Sequence, residues 1–291
     1  MTLPPQQPYQ PSQPQQPLPP QQQNWPPTPP ERRRRPGLMV FLFVGLPLIA
    51  LALVIAVTLF AVNALNGEPV SENVDTDAGS SLFIDVPNAS MDLGVSDDDE
   101  IHVSMRGMYS GTRPTLDVTT AGGETEIRGG CPSGWFVFNR CDVRIEVLLP
   151  AELDVVAGGE NGAITAEALT GDLDLSTTNG RIEVDGSRGD LQLHSTNGRI
   201  ELEDSRSARV EADTTNGSVS LSFESAPDEV IAFSTNGEIR IEVPDDDTEY
   251  AIEADTTNGN VDDQDVPSDR DATRSITAET TNGDVTITTV R

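Results

Sequence analysis

The side chains able to do chemistry are mostly carboxylates. Glu183, Glu201 and Glu242 each follow an Asn-Gly pair by four to six residues, and two carboxylates facing one sugar could serve as general acid and base. Repetition weighs against that use. An active site needs two carboxyls whose surroundings push their proton affinities apart, whereas a recurring row of acids is the expected solvated face. Asp97-Asp98-Asp99-Glu100, Asp245-Asp246-Asp247 and Asp262-Asp263-Gln264-Asp265 are oxygen-rich turns of the kind a hard cation prefers. Asp97, Asp98, Asp99, Asp245, Asp246 and Asp247 are therefore candidate Ca²⁺ ligands, although none of these turns matches an established loop spacing. His102 and His194 stand apart from each other and are expected on exposed strand faces. There is no Gly-x-Ser-x-Gly, no phosphate loop and no zinc-ligand spacing. The expectation is a protein without catalysis and with no cofactor other than calcium.

Cys131 and Cys141 are the only cysteines. Cys131-Pro132-Ser133-Gly134-Trp135 has turn character and Phe136 to Arg140 reads as a returning strand, so a disulfide would staple a hairpin-like excursion. The pair lacks Cys-x-x-Cys spacing and any neighbouring Lys or His, which makes a reactive redox couple the weaker reading. A persistent disulfide requires an oxidising compartment.

Three segments of different composition must position these residues. Residues 1–37 hold 13 Pro and 9 Gln; proline fixes φ and removes a donor, so a disordered cytoplasmic tail of polyproline II character is expected. Arg32, Arg33, Arg34 and Arg35 stand near the end of this tail, and residues 38–62 carry no charge. Twenty-five residues at about 1.5 Å each exceed the roughly 30 Å of hydrocarbon in a bilayer. The four arginines then place the tail in the cytoplasm and the rest outside. Cleavage after a small-residue site near Val62-Asn63-Ala64 is the competing reading, disfavoured because the apolar run is long for a signal peptide. Residues 63–78 are expected to be a linker, and residues 79–291 an extracytoplasmic β-strand-repeat domain.

The chain has 18 basic residues, all Arg, against 48 acids and a net charge of -30. Once Glu31 and the tail arginines are set aside, residues 67–291 retain 47 acids and 14 Arg. That balance excludes nucleic acid as a partner, since a phosphate backbone needs basic patches.

A repeat organises the outer segment. Asn-Gly occurs at Asn161, Asn179, Asn197, Asn216, Asn236, Asn258 and Asn282, preceded from Asn179 onward by Thr-Thr or Ser-Thr. Six residues before each Asn stand Val155, Leu173, Leu191, Val210, Val230, Ile252 and Ile276. Three residues after stand Ile164, Ile182, Ile200, Val219, Ile239, Val261 and Val285. Such alternation is a strand signature with one buried face. Each unit is strand, Asn-Gly corner, strand and a variable turn, with Gly expected to supply φ > 0 and Asn to tolerate the left-handed region. An antiparallel meander or sandwich with type I′ hairpins fits this pattern. A parallel β-solenoid fits it better, because near-identical corners are what one-dimensional stacking favours. Leu82 to Val86, Glu100 to Met105, Thr115 to Val118 and Val143 to Leu148 read as less regular strands that cap the N-terminal end. Asp263 falls on an inward register position, where an interrupted strand is expected.

Leu148-Leu149-Pro150-Ala151-Glu152-Leu153 and Asn179-Gly180-Arg181-Ile182-Glu183-Val184 resemble the bacterial β-strand-repeat family of proposed adhesins of unknown function, over roughly residues 75–291. The resemblance implies a membrane-tethered, envelope-facing β-solenoid and carries over no catalytic residues. Together these readings give an all-β, single-pass cell-membrane protein whose outer domain meets an unidentified envelope or extracellular protein or glycan. A Ca²⁺-binding surface protein and a polysaccharide-active β-helix enzyme are the alternatives.

Overall fold

A computed structural model describes residues 43, 45–65, 67–132 and 140–290, without the side chains of residues 59–65. The expected cytoplasmic tail and Arg32, Arg33, Arg34 and Arg35 lie outside the described residues. Compactness divides the chain into residues 1–56 and 57–291. Helix α1 (Leu46–Leu65) has no acid in its first turn and no base in its last. Pro47 is the second residue of α1, directly after helical backbone at Gly45. Leu48, Ile49, Leu51, Leu53, Val54 and Ile55 are all exposed, at consecutive positions that span more than one face. Over the residues whose side chains are described, no helix is long and apolar enough to cross a membrane. Within the span expected for the helix, 38–62, and the linker, 63–78, α1 runs from Leu46 to Leu65 and a ten-residue strand covers Glu68–Asp77.

The strands in chain order are β1 (Glu68–Asp77), β2 (Ser81–Asp85), β3 (Ser90–Val95), β4 (Glu100–Ser110), β5 (Thr115–Ala121), β6 (Glu124–Gly130) and β7 (Arg140–Leu149). Next come β8 (Asp154–Gly159), β9 (Ile164–Glu167), β10 (Leu173–Thr177), β11 (Ile182–Asp185), β12 (Leu191–Ser195), β13 (Ile200–Ser205), β14 (Arg209–Thr214) and β15 (Val219–Phe223). The last are β16 (Glu229–Asn236), β17 (Ile239–Pro244), β18 (Ala251–Asn258), β19 (Val261–Asp262), β20 (Ser275–Asn282) and β21 (Val285–Val290). They form two sheets, ordered β1-β4-β7-β3-β9-β11-β13-β15-β17-β21-β19 and β18-β20-β16-β14-β12-β10-β8-β2-β6-β5.

The repeat is a parallel solenoid. Leu173 pairs with Val155 on one side and Leu191 on the other, in parallel strands, and Ile182 likewise with Ile164 and Ile200. Equivalent residues therefore stack coil upon coil, and the antiparallel meander is overturned. Antiparallel pairing is confined to β1, β4, β5 and their partners at the N-terminal end. Leu175, Ile182, Ile200, Ala212, Val230, Ala232, Ile276 and Ala278 are buried, and small Ala on one wall lets the two sheets approach. Burial of these columns at roughly 25 cal/mol per Å² of apolar surface is what holds a coil that has few contacts beyond its two neighbours.

Layer order departs from chain order at both ends. β2 pairs with β6 and β8, and β3 with β7 and β9, so the first coil is an inner layer and β1 and β5 are the terminal strands at that end. Of the early strands expected to form the cap, β5 is terminal in its sheet, whereas β2, β4 and β7 are each paired on both sides. At the other end, β20 pairs with both β16 and β18, and β21 with both β17 and β19. The last coil in sequence is thus the penultimate layer, and the excursion carrying β18 and β19 folds over it. β19 stops at Asp262, so the strand is interrupted at Asp263 as its composition requires.

Candidate functional site

The corners were expected to need glycine for its left-handed freedom. They do not. Among the corner glycines only Gly283 has positive φ, and no corner asparagine does. Glycine is required by close approach: a Cβ built on Gly180 would lie 1.8 Å from the Gly162 carbonyl oxygen, one on Gly198 1.7 Å from that of Gly180, and one on Gly237 1.7 Å from that of Gly217. From Asn179 onward, the hydroxyl two residues before the Asn uses the same kind of carbonyl. Ser195 Oγ donates to Gly180 O at 3.0 Å, Thr214 Oγ1 to Gly198 O at 3.0 Å and Ser234 Oγ to Gly217 O at 2.9 Å. These hydroxyls are buried, which accounts for the recurrent Ser or Thr at that position: an apolar residue there would leave a carbonyl lone pair unmet.

Outside that layer the asparagines form a ladder. Asn179 Nδ2 donates to Asn161 Oδ1 at 2.9 Å, Asn197 to Asn179, Asn216 to Asn197 and Asn236 to Asn216, each at 2.9 Å. Asn282 then donates to Asn236, and Asn258 to Asn282, following layer order. Asn161 donates to Asn88 at 2.8 Å. Asn88 is an eighth rung that the Asn-Gly pattern misses because Ala89 follows it; only the Pro87-Asn88 corner between β2 and β3 could have signalled it.

His102 is not isolated. Antiparallel pairing of β1 with β4 sets Asp75 directly opposite it, Nδ1 lies 2.8 Å from Asp75 Oδ1, and Nε2 lies 3.0 Å from Asp98 Oδ1. Asp98, Glu100 and His102 bring three potential ligand atoms within 4.8 Å of one another. The hydrogen bond to Asp75, then that to Asp98, holds the imidazole above its ordinary pKa. The Glu100 backbone N–H, followed by His102, holds Asp98 below its own. Asp97 and Asp99 are exposed on the same turn. Asp245, Asp246 and Asp247 lie on an exposed turn where Thr248 N–H donates to Asp246, and Asp247 has φ 61°. Among the described residues, that turn and the 262–265 turn bring no such set of ligand atoms together. His194 is exposed, with Asp213 of the next coil 3.5 Å away.

Glu183 and Glu201 point outward and pair with Arg181 at 3.3 Å and Arg199 at 3.9 Å. With Thr165, Glu167, Asp185 and Glu203 they line a shallow groove of about 230 Å³. Glu242 stands on β17 facing Ser222 and Thr288 in register. Cys131 and Cys141 are bonded, with Cα atoms 5.8 Å apart, and close the corner between β6 and β7 that in other layers is Asn-Gly. The strand expected from Phe136 lies outside the described residues up to Arg140.

A family model described as Toastrack DUF4097 matches residues 80–291, which takes in every strand from β2 onward. The chain belongs to the Toastrack DUF4097 family. The Toastrack repeat is the corner-ladder solenoid described above, and α1 and β1 lie outside the match. Solved structures similar to this Toastrack chain include a proposed cell adhesion protein from Clostridium sporogenes, with 12% identity and TM-score 0.37 over 77% of this chain and 100% of the other. A proposed adhesin from Parabacteroides merdae shares 13% identity, with TM-score 0.41 over 78% and 98%. A proposed lipid binding protein from Parabacteroides distasonis shares 14%, with TM-score 0.29 over 78% and 98%. No curated protein matches.

Proposed function

We propose that this Toastrack protein is a single-pass, envelope-facing interaction module without catalysis. In this reading the Pro/Gln-rich tail is cytoplasmic, the apolar segment around α1 spans the membrane, and the solenoid presents its outer faces to a protein or glycan of the envelope or exterior. The observation that carries it is the continuous ladder of eight asparagines. It locks the coils into one stack whose outward side chains recur from layer to layer, which suits extended surface contact better than a single reacting centre. The bonded cysteines agree with an oxidising exterior. Protease shaving of intact cells should digest an epitope in the solenoid and spare a tag on the tail; the reverse pattern would sink the topology. Turnover of a cell-wall or extracellular polysaccharide, abolished by a single carboxylate substitution, would replace the reading with an enzyme.

A cation site is the second reading, favoured by the Asp98, Glu100 and His102 grouping. Imidazole in the ligand set suits Zn²⁺ better than the Ca²⁺ that an all-oxygen turn would take. Melting temperature measured with each ion separates them: a rise with Zn²⁺ that His102→Ala removes supports this site, and a rise with millimolar Ca²⁺ but not Mg²⁺ supports the aspartate turns.

A further inference from the structure

β18 is the terminal strand of its sheet. Ala251 N–H donates to Arg274 O, on the side of β20. The neighbouring Tyr250 turns its N–H and carbonyl the other way, to Pro267 and Asp269. Alternation along the strand then directs the backbone groups of Ile252, Ala254 and Thr256 to the outer edge. The bridge between Tyr250 and Ser268 covers only the start of that edge.

The core columns are open at this end as well. Ile276 and Ala278 in the layer beneath are fully buried, whereas Ile252 and Ala254 stacked on them are only half-buried. Val261 is 38% exposed, and Val285 beneath it is 0%. The surroundings are strongly acidic: residues 245–274 carry 11 carboxylates and two arginines. One of those arginines, Arg274, is held by the Ala226 and Pro227 carbonyls and by Asp228. Glu253 and Asp255 alternate with the half-buried residues and are exposed.

We propose that the β18 edge is the docking site for an extended cationic segment of a partner polypeptide, which adds as one further strand. The proposal rests on the interaction-module reading and specifies the partner's chemistry. Strand addition supplies main-chain hydrogen bonds for affinity and alternate side-chain positions for selectivity. Apolar residues of the incoming strand would continue the Ile252 and Ala254 columns, and Arg or Lys residues between them would meet Glu253 and Asp255. The same acids disfavour a second copy of this chain, whose own edge brings the same charges, and so guard the edge against self-association.

The test uses the full chain in detergent micelles and fluorescein-labelled eight-residue peptides read by anisotropy. A peptide alternating valine and arginine should bind, with affinity falling as salt rises. A valine–glutamate peptide should not bind, nor should one with proline replacing each valine. Ala254→Pro removes an outward N–H and should weaken binding at least tenfold. Glu253→Arg combined with Asp255→Arg alters only exposed side chains and should do the same with an unchanged melting curve, which keeps the test valid if the proline variant does not fold. Three results would overturn the proposal: no binding of the valine–arginine peptide, equal binding of the proline peptide, or indifference to both variants. Dimerisation of the chain through β18 would also overturn it, by assigning the edge to a second copy. None of these results bears on topology or turnover, so the interaction-module reading stands or falls separately.

Discussion

The Cα of Gly198 packs against the carbonyl oxygen of Gly180 one coil below, so closely that a Cβ would lie 1.7 Å from it. The two nearest atoms are the Gly180 carbonyl oxygen and carbon, which are backbone and cannot yield as a side chain would, and Ser195 Oγ lies 2.8 Å away as well. Gly198→Ala must therefore push the coils apart, and overpacking of this kind costs about 1–3 kcal/mol or more. Gly122 is the contrast, with no atom within 4 Å of a built Cβ but a φ of +66°; Gly122→Ala should cost about 1 kcal/mol from conformation alone. Urea denaturation of the two variants checks the ranking.

Asn282 follows Asn258 in sequence but precedes it in the stack. It makes ladder bonds on both sides, to Asn236 and from Asn258, whereas Asn258 has a ladder neighbour on one side only. At about 0.5–1.5 kcal/mol net per hydrogen bond, Asn282→Ala should destabilise about twice as much as Asn258→Ala. Equal losses in thermal melts, or a larger loss at Asn258, would contradict the layer order.

The imidazole of His102 joins Asp75 on β1 to Asp98 on the turn before β4. Its folded pKa lies above 6.5, so its contribution to stability is complete below 6.5 and fades as pH rises through the raised value. Asp98, held below 3.8, contributes above 3.8 and loses that contribution as pH falls through its lowered value. The difference in melting temperature between the native chain and His102→Ala should be greatest between these limits, near pH 5–6, and should shrink by pH 9. Asp98 is exposed and His102 is only half-buried, so the effect is small and weakens with salt.

Tyr250 is fully buried, and its hydroxyl has no hydrogen-bond partner among the described residues. Burial, with the charge of Asp246 adding to it, pushes its pKa up to about 12. Removing an unmet buried polar atom without changing shape should stabilise, so Tyr250→Phe is expected to raise stability by about 1 kcal/mol. A lower melting temperature for this variant would show that the hydroxyl has a partner in solution.

Cys131 and Cys141 close a loop of ten residues, a constraint on the unfolded chain that contributes about 3 kcal/mol in the chain-entropy estimate. Paired substitution by serine should lower stability by that order and leave the repeat coils intact by circular dichroism.

Much of the solenoid was legible in the residues alone. Aligning Leu173, Leu191 and Val210 on their asparagines predicts the register in which they stack, because a strand alternates strictly and each coil must bury the same positions. The outward placement of Glu183 and Glu201 follows from the same alternation, and the charge division between Arg32–Arg35 and residues 67–291 is likewise a property of sequence. The glycine at each corner was legible, but its reason was not: the clash that excludes a Cβ is with a carbonyl 18 residues away, which local backbone preference does not reveal. Nor could spacing place Asp75 beside His102, separated by 27 residues, since the contact depends on β1 turning back along β4. The order of the last two layers and the exposed edge of β18 were decided by tertiary structure alone. Adjacent repeats present nearly the same pairing surface, so sequence specifies that coils stack but leaves open which one lies outermost. That choice falls to the connections: the excursion through residues 245–274 has room to fold across β20 and β21, and the stack is complete only when it does.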